Sequence, residues 1–322
     1  RPAARGGAGA DDADPARRLV IAPGDEIVVT RAEHHANLVP WQELAARTGA
    51  SLRWLDLTED GRIDPTTVRV ITERTRLLAL THASNVTGAI TPLVDILPAA
   101  RAVGALVVLD TCQSAAHLPL DFAALHAAGV DAMVLSSHKM LGPTGIGALV
   151  AAEELLEAMP PVLTGGSMIE VVRMESSTYM SGPARFEAGS QPLAQAAGWR
   201  TAVDYLSGLG MDRLHAGELD LMQRVLDGLA ALDGVRVLGP ADTRERLGVV
   251  AFTVDGVHPH DVGQVLDASG VAVRTGHHCA QPIHAHFSVS SSARVSFGVT
   301  TTAGEVDRFL EAAAGVRAYF QR

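Results

Sequence analysis

The sequence predicts an α/β protein with a large lobe on a mainly parallel sheet, followed by a smaller C-terminal α/β lobe. Three observations carry that prediction. From residue 25 to about 190, short β-branched runs alternate with amphipathic stretches, and strand–helix–strand alternation implies right-handed crossovers between parallel strands. The runs at 76–81, 105–110 and 132–136 are almost continuously apolar, as in strands covered on both faces. After about 190 the pattern changes to long helices and then a second set of short strands. A length of 322 residues accommodates about two domains.

The elements follow in chain order. Residues 1–24 open with RPAARGGAGADDADPARR. Nothing there buries enough surface to offset the entropy of ordering, so an irregular tail or truncated remnant is expected. The apolar stretch 19–22 is too short for a signal-peptide core. Strands are expected at 26–30, 51–55, 76–81, 105–110, 132–136 and 145–151, with amphipathic stretches near 36–48, 65–72, 93–103 and 121–128. Residues 191–231 read as long helices broken at Gly208 and Gly210. Strands near 235–239 and 247–254, a helix near 259–268, a strand at 271–275 and a helix at 303–319 complete the chain. The large lobe is placed at 25–205 and the small lobe at 206–322.

Composition narrows the function. Hydrophobic residues make up 47% and charged residues 19%, a globular balance. The formal net charge of −10 gives no long-range attraction for nucleic acid or an anionic membrane. Aromatics at 4% argue against a base-stacking platform. No run of 18 apolar residues occurs, so no transmembrane helix is expected. Two cysteines, Cys112 and Cys279, make no disulfide framework, which points to a reducing, cytoplasmic setting.

Ligands of open α/β sheets bind outside the carboxyl ends of the strands. Four such ends carry polar groups here: Glu33-His34-His35-Ala36-Asn37, Thr81-His82-Ala83-Ser84-Asn85, Asp110 with Gln113, and Ser136-Ser137-His138-Lys139. Taken singly, Lys139 reads as a solvated loop residue and Asp110 as a helix N-cap. Together they supply what a pyridoxal phosphate site needs. Lys139 offers the Schiff-base amine and Asp110 the acid for the pyridinium nitrogen. Ser136 and His138 offer phosphate donors, and His34 a flat group to stack on the ring. Competing motifs are weaker. Residues 142–147 do not match G-x-G-x-x-G and precede a strand instead of following one. His277, His278, Cys279, His284 and His286 are dense enough to ligate a metal, but no C-x-x-C or H-E-x-x-H pattern accompanies them, and no metal is expected. Asn85-Val86-Thr87 is a glycosylation sequon without a secretory signal.

Along most of its length the sequence resembles the SufS-type, or group II, cysteine desulfurases, enzymes of aminotransferase class V with the fold-type-I architecture of pyridoxal phosphate (PLP) enzymes. The resemblance rests on GDEIVVTRAEHHANLVPWQ (24–42), THASNVTGAITPL (81–93), VLDTCQSAAHLPLDF (108–122) and SSHKMLGPTGIGALV (136–150). It continues through PPVLTGGSMI (160–169), RFEAGSQP (185–192) and VRTGHHCAQP (273–282). It implies that Lys139 binds the cofactor covalently and moves the substrate Cα proton, that Asp110 pairs with the pyridinium nitrogen, and that Gln113 meets the ring O3′ oxygen. It implies that His34 stacks on the ring, that Ser136 and His138 contact the phosphate, and that Asn85 and Arg294 hold the substrate carboxylate. Ser190 would reach the phosphate of the other subunit, which implies a homodimer. Cys279 would take sulfur from L-cysteine as a persulfide, leaving L-alanine, with Arg274, His277 and His278 favouring its thiolate.

The family passes that sulfur to a small acceptor protein, SufE- or SufU-like, for iron–sulfur cluster assembly. Cys112 reads as packing. The family's helical N-terminal segment, with its phosphate-binding Gly-Thr-Thr turn, has no recognisable counterpart here, and that difference implies weaker PLP binding. The alternatives are a selenocysteine lyase or another class V enzyme, or an inactive truncated homologue.

Overall fold

The computed structural model describes residues 19–320. A six-stranded sheet has the order β2-β1-β3-β4-β5-β6. Its strands are β1 (Glu26–Thr30), β2 (Ser51–Leu55), β3 (Thr75–Thr81), β4 (Leu106–Asp110), β5 (Ala132–Ser136) and β6 (Gly147–Ala151). β1 to β5 are parallel and β6 returns antiparallel along β5. Each expected strand of this lobe is present, with ends displaced by at most two residues.

The apolar runs are explained by two buried faces. Val28, Leu78, Leu80, Val107 and Leu109 share one core with Ile96, Leu97 and Ala100 of helix α2 (Leu93–Ala102). Ile27, Val29, Leu77, Ala79 and Leu106 face the other way, against Leu38, Trp41 and Ala45 around helix α1 (Val39–Thr48). Strand side chains alternate, so a strand buried on both sides must be apolar at every position. Leu19 and Ile21 also pack on that second face. The packed chain therefore begins before residue 24, because two apolar side chains suffice to dock an irregular segment. Residues 1–18 of the expected tail lie outside the described residues.

The expected stretch at 65–72 is a 3-10 turn, Pro65–Val70, and that at 121–128 is helix α3 (Phe122–Ala128), capped by Asp121. Three short elements were not anticipated: α4 (Glu153–Ala158) and the hairpin β7 (Ile169–Val172) with β8 (Ser177–Tyr179). The long helical region divides at Gly210 into α5 (Leu193–Leu209) and α6 (Met211–Ala230).

A second, antiparallel sheet has the order β11-β12-β10-β9, from β9 (Val235–Leu238), β10 (Val249–Val254), β11 (Arg274–Gly276) and β12 (Ser292–Ser296). Its own core joins Phe252, Val250 and Val295 to Leu226 of α6, Leu266 of α7 (Pro259–Ala268) and Phe309 of α9 (Ala303–Phe320). β12 was not expected, because Ser292-Ala293-Arg294-Val295-Ser296 offers only two apolar positions. Helix α8 (Gln281–His286) was also not expected. Its Ile283, with Ala280 and Phe287, packs into the core of the large sheet. The segment after Cys279 is thus clamped between the two lobes.

The lobes are also joined at Gly88. Leu247 N–H donates to the Gly88 carbonyl at 2.9 Å. Gly88 has φ 73°, and a Cβ there would lie 2.7 Å from the Leu247 oxygen. Only glycine permits that approach, which seats the turn carrying Asn85 against the small lobe.

Candidate active site

The polar side chains assemble where the parallel strands end. Asp110 is the last residue of β4, opposite Thr81 of β3 and Val134 of β5. Its Oδ1 accepts the Cys112 N–H at 2.9 Å, which bends the chain toward half-buried Gln113 and the 3-10 turn Ser114–Ala116. β5 ends at Ser136, and the tight turn Ser137–Met140 presents exposed His138 and half-buried Lys139. β1 ends at Thr30 and leads through Glu33 to His34.

These groups lie close enough to act on one another's charge. The His34 ring is held below its usual pKa by burial first and then by the Lys139 ammonium, while Asp110 opposes the shift and Arg274 adds to it. His34 Nδ1 accepts the Ala36 N–H at 3.1 Å, so the ring is neutral with its proton on Nε2. Cys112 feels the same two charges. Burial, then Asp110, pushes its thiol up to about 11, and its Sγ lies 3.1 Å from Ser136 Oγ. It is protonated at neutral pH, which fits its reading as packing.

From the other lobe comes the Cys279 loop. His278 and Cys279 are consecutive non-glycine residues in the left-handed region, at φ 51° and 56°, each costing on the order of 1 kcal/mol. The Cys279 carbonyl accepts the His35 N–H at 2.7 Å, and His35 Nε2 accepts the Gln281 N–H at 3.0 Å. Asn85 Nδ2 donates to the His278 carbonyl at 2.6 Å, and Arg294 Nη1 to the Asn85 carbonyl at 2.8 Å. Arg274 Nη2 approaches Cys279 Sγ at 3.4 Å. His278 differs from expectation. Burial first, then Arg294, lowers it to about 3, so it is a neutral anchor and supplies no positive charge to the thiol.

The structure therefore brings His34, Asp110, Lys139, Ser136, Asn85, Arg294, Arg274 and Cys279 into one region. Ser190 lies exposed in the loop before α5, and among the described residues no interaction joins it to the others. No group of His, Cys, Asp and Glu suited to a metal ion occurs among the described residues.

The residue set fits PLP. Lys139 matches an aldehyde, Asp110 a pyridinium nitrogen, Ser136 a phosphate, and the neutral His34 ring a flat aromatic face. Asn85 Oδ1 and Arg294 Nε, the groups that the resemblance gives to the substrate carboxylate, are buried without partners. Both therefore keep hydrogen-bonding capacity for a polar ligand.

The sequence alone gives no role to Glu33, His35 and His82, which it only marks as polar groups at strand ends, considers His284 only as a metal ligand, and does not single out Ser292. Glu33 is fully buried. It accepts from Thr30 Oγ1 at 2.7 Å, Thr81 N–H at 2.8 Å and Asn37 Nδ2 at 2.7 Å, tying β1 and β3 to the turn that aims His34. Burial pushes its carboxyl up to about 8, against those donors. The available signal was a carboxylate three residues past the end of β1, at the head of the polar run 33–37.

His82 Nδ1 lies 2.8 Å from Ser114 Oγ, and burial lowers its pKa from 6.5 to about 4. Between those values the unfolded chain binds more protons than the folded one, so this contribution to stability is lost as pH falls from 6.5 toward 4. The unfolding temperature of His82→Gln should therefore change less steeply over that interval than that of the wild type. Equal slopes would exclude His82 as a source.

The aminotransferase class-V family profile matches residues 13–309. The chain belongs to the aminotransferase class-V family. It is 52% identical over 299 residues to the Mycobacterium leprae (strain TN) protein named "Probable cysteine desulfurase 2", covering 93% of this chain and 71% of that protein. The crystal structure of the cysteine desulfurase CsdA from Escherichia coli, in an S-sulfonic acid form, superposes with a TM-score of 0.89 at 36% identity, covering 94% of this chain and 75% of that one. A mutant of C-DES with glycine covalently linked to its PLP cofactor superposes with a TM-score of 0.79 at 25% identity, covering 95% of this chain and 80% of that one. The architecture is thus that of the fold-type-I PLP enzymes, as the sequence resemblance implied. Among the described residues no helix is long and apolar enough to cross a membrane.

Proposed function

We propose that this class-V protein is a PLP-dependent cysteine desulfurase of SufS type, converting L-cysteine to L-alanine and carrying the sulfur as a persulfide on Cys279. The observation that carries this reading is the Cys279 loop, which places a thiol from the small lobe, with Arg274 against its sulfur, in the region that holds Lys139, Asp110 and His34.

PLP, when bound, supplies an electron sink for the substrate carbon skeleton. The chain's own residues do the rest. Lys139 anchors the cofactor and carries the proton to and from the substrate Cα. Asp110 pairs with the ring nitrogen, Gln113 with the ring oxygen, and Ser136 and His138 with the phosphate. His34 covers the ring face. Arg294 and Asn85 hold the substrate carboxylate, where a planar guanidinium suits a planar anion. The Cys279 thiolate attacks the substrate sulfur. An S–S bond forms, the substrate Cβ–S bond breaks, its electron pair stays with the carbon skeleton, and protonation yields alanine.

The lobes divide this work, residues 25–205 binding the cofactor and 206–322 carrying the nucleophile. A homodimer is supported by the apolar side chains left exposed around the hairpin and α5, among them Val162, Leu163, Met174 and Leu193. Ser190 lies in the same region and would serve the phosphate of the second subunit. The persulfide passes to a small SufE- or SufU-like acceptor for iron–sulfur assembly. Cytoplasmic location accords with two free cysteines.

The test is to incubate PLP-reconstituted protein with L-cysteine and a reductant. Equal amounts of alanine and sulfide are expected. Pyruvate and ammonia in place of alanine would overturn the reading in favour of β-elimination.

A further inference from the structure

The Cys279 loop is gripped by a hydrogen-bonded chain that has no part in the roles above. Ser292 Oγ, at the start of β12, lies 2.9 Å from His278 Nε2 and 3.0 Å from His284 Nε2. His284 Nδ1 lies 2.9 Å from the Ala280 carbonyl oxygen. All three side chains are buried, with at most 1% exposure.

The chemistry of the partners fixes the protons. A carbonyl only accepts, so His284 Nδ1 carries hydrogen. Burial holds His284 below its usual pKa, leaving the ring neutral and Nε2 bare. The Ser292 hydroxyl donates to that nitrogen, and its oxygen accepts from His278 Nε2–H. The Ser292 carbonyl, which also acts on the His278 ring, calls for the same proton. The hydrogen bonds then run in one direction, from His278 through Ser292 and His284 to the Ala280 carbonyl, while His278 Nδ1 is buried without a partner. The charged and titratable groups facing it are Arg274 and Arg294 on the His278 side and His277 on the His284 side.

The two ends of this chain are the residues on either side of Cys279. His278 and Cys279 hold left-handed conformations, which persist only where surroundings over-determine them. Ser292 stands two residues before Arg294 on β12. One strand thus supports both the nucleophile loop and the guanidinium that Asn85 orients.

We propose that Ser292, acting with His284, is a positioning residue for the Cys279 thiol, fixing its place relative to a substrate held by Arg294. This rests on reading Cys279 as the sulfur acceptor. Ser292→Ala removes the hydroxyl, Ser292→Thr retains it, and His284→Phe keeps the ring but removes both hydrogen bonds.

Two measurements are made on each variant: kcat and KM for sulfide release by the PLP-reconstituted protein, and the rate of Cys279 alkylation by iodoacetamide in the apoprotein, followed by mass spectrometry. A displacement of about 1 Å costs up to about 100-fold in rate, so kcat should fall by about tenfold to 100-fold in Ser292→Ala and His284→Phe. KM should stay within about twofold, since substrate binding is untouched. Cys279 alkylation should accelerate as the loop loosens, and Ser292→Thr should restore both readouts. Unchanged kcat and alkylation in Ser292→Ala, or the same loss in Ser292→Thr as in Ser292→Ala, would overturn the proposal. If Ser292→Ala does not fold, His284→Phe decides by the same criteria. A wild type that releases no sulfide would refute the desulfurase reading alone, because the alkylation rates still report whether the chain holds the loop.

Discussion

Cys279→Ala is expected to lower sulfide release from L-cysteine by at least about 1,000-fold, since loss of a covalent nucleophile leaves only what binding and orientation supply. No other thiol can replace it. Cys112 is the second cysteine in the chain, and burial with Asp110 beside it holds its thiol protonated, with a pKa near 11. The thiolate is the reactive form. Cys112→Ser should therefore keep most of the activity, while Cys279→Ala should still capture PLP, because Lys139, Asp110 and Ser136 lie on the other lobe. Labelling with radioactive sulfur gives a second reading: the wild type should carry label on Cys279 before reductant is added, and Cys279→Ala should carry none. Unchanged sulfide release in Cys279→Ala would exclude the persulfide route.

Lys139→Ala should abolish turnover and covalent attachment of the cofactor together. Lys139 is the only lysine in the sequence, so no second side-chain amine is available as a substitute. It sits on a turn closed by Leu141 at φ 62°, directly after β5, which ends in Ser136 and pairs with the strand that ends in Asp110. Reduction with borohydride followed by mass spectrometry should place a pyridoxyl group on Lys139 in the wild type and nowhere in Lys139→Ala. A visible absorbance band near that of the wild type in Lys139→Ala, resistant to dialysis, would show that another group holds the cofactor. Because His34 is held down partly by the Lys139 charge, its pKa should rise in Lys139→Ala, which proton NMR can follow.

Much of the large lobe is legible in the sequence. Strands buried on both faces must be apolar throughout, so β3, β4 and β5 announce themselves, and the polar residues that end them mark the edge where chemistry occurs. The motif boxes around Lys139 and Cys279 were similarly explicit. β12 and α8 were not legible. β12 is half polar because Ser292 and Arg294 are committed to hydrogen bonds instead of a core, and α8 is too short to develop a periodic stripe. Glu33 was passed over because its partners come from residues both near and 48 positions away.

The sequence by itself determined the lobe order, the residue types at each strand end and the resemblance that names a chemistry. These depend on local pattern and spacing. The tertiary structure alone decided which groups meet and in what charge state. Cys279 reaches the large lobe because Ile283 and Phe287 bury themselves in its core. His278 is neutral because it is buried against Arg294, and Cys112 is inert because it is buried beside Asp110. Burial and long-range approach set those properties, and neither is written in the spacing of residues along the chain.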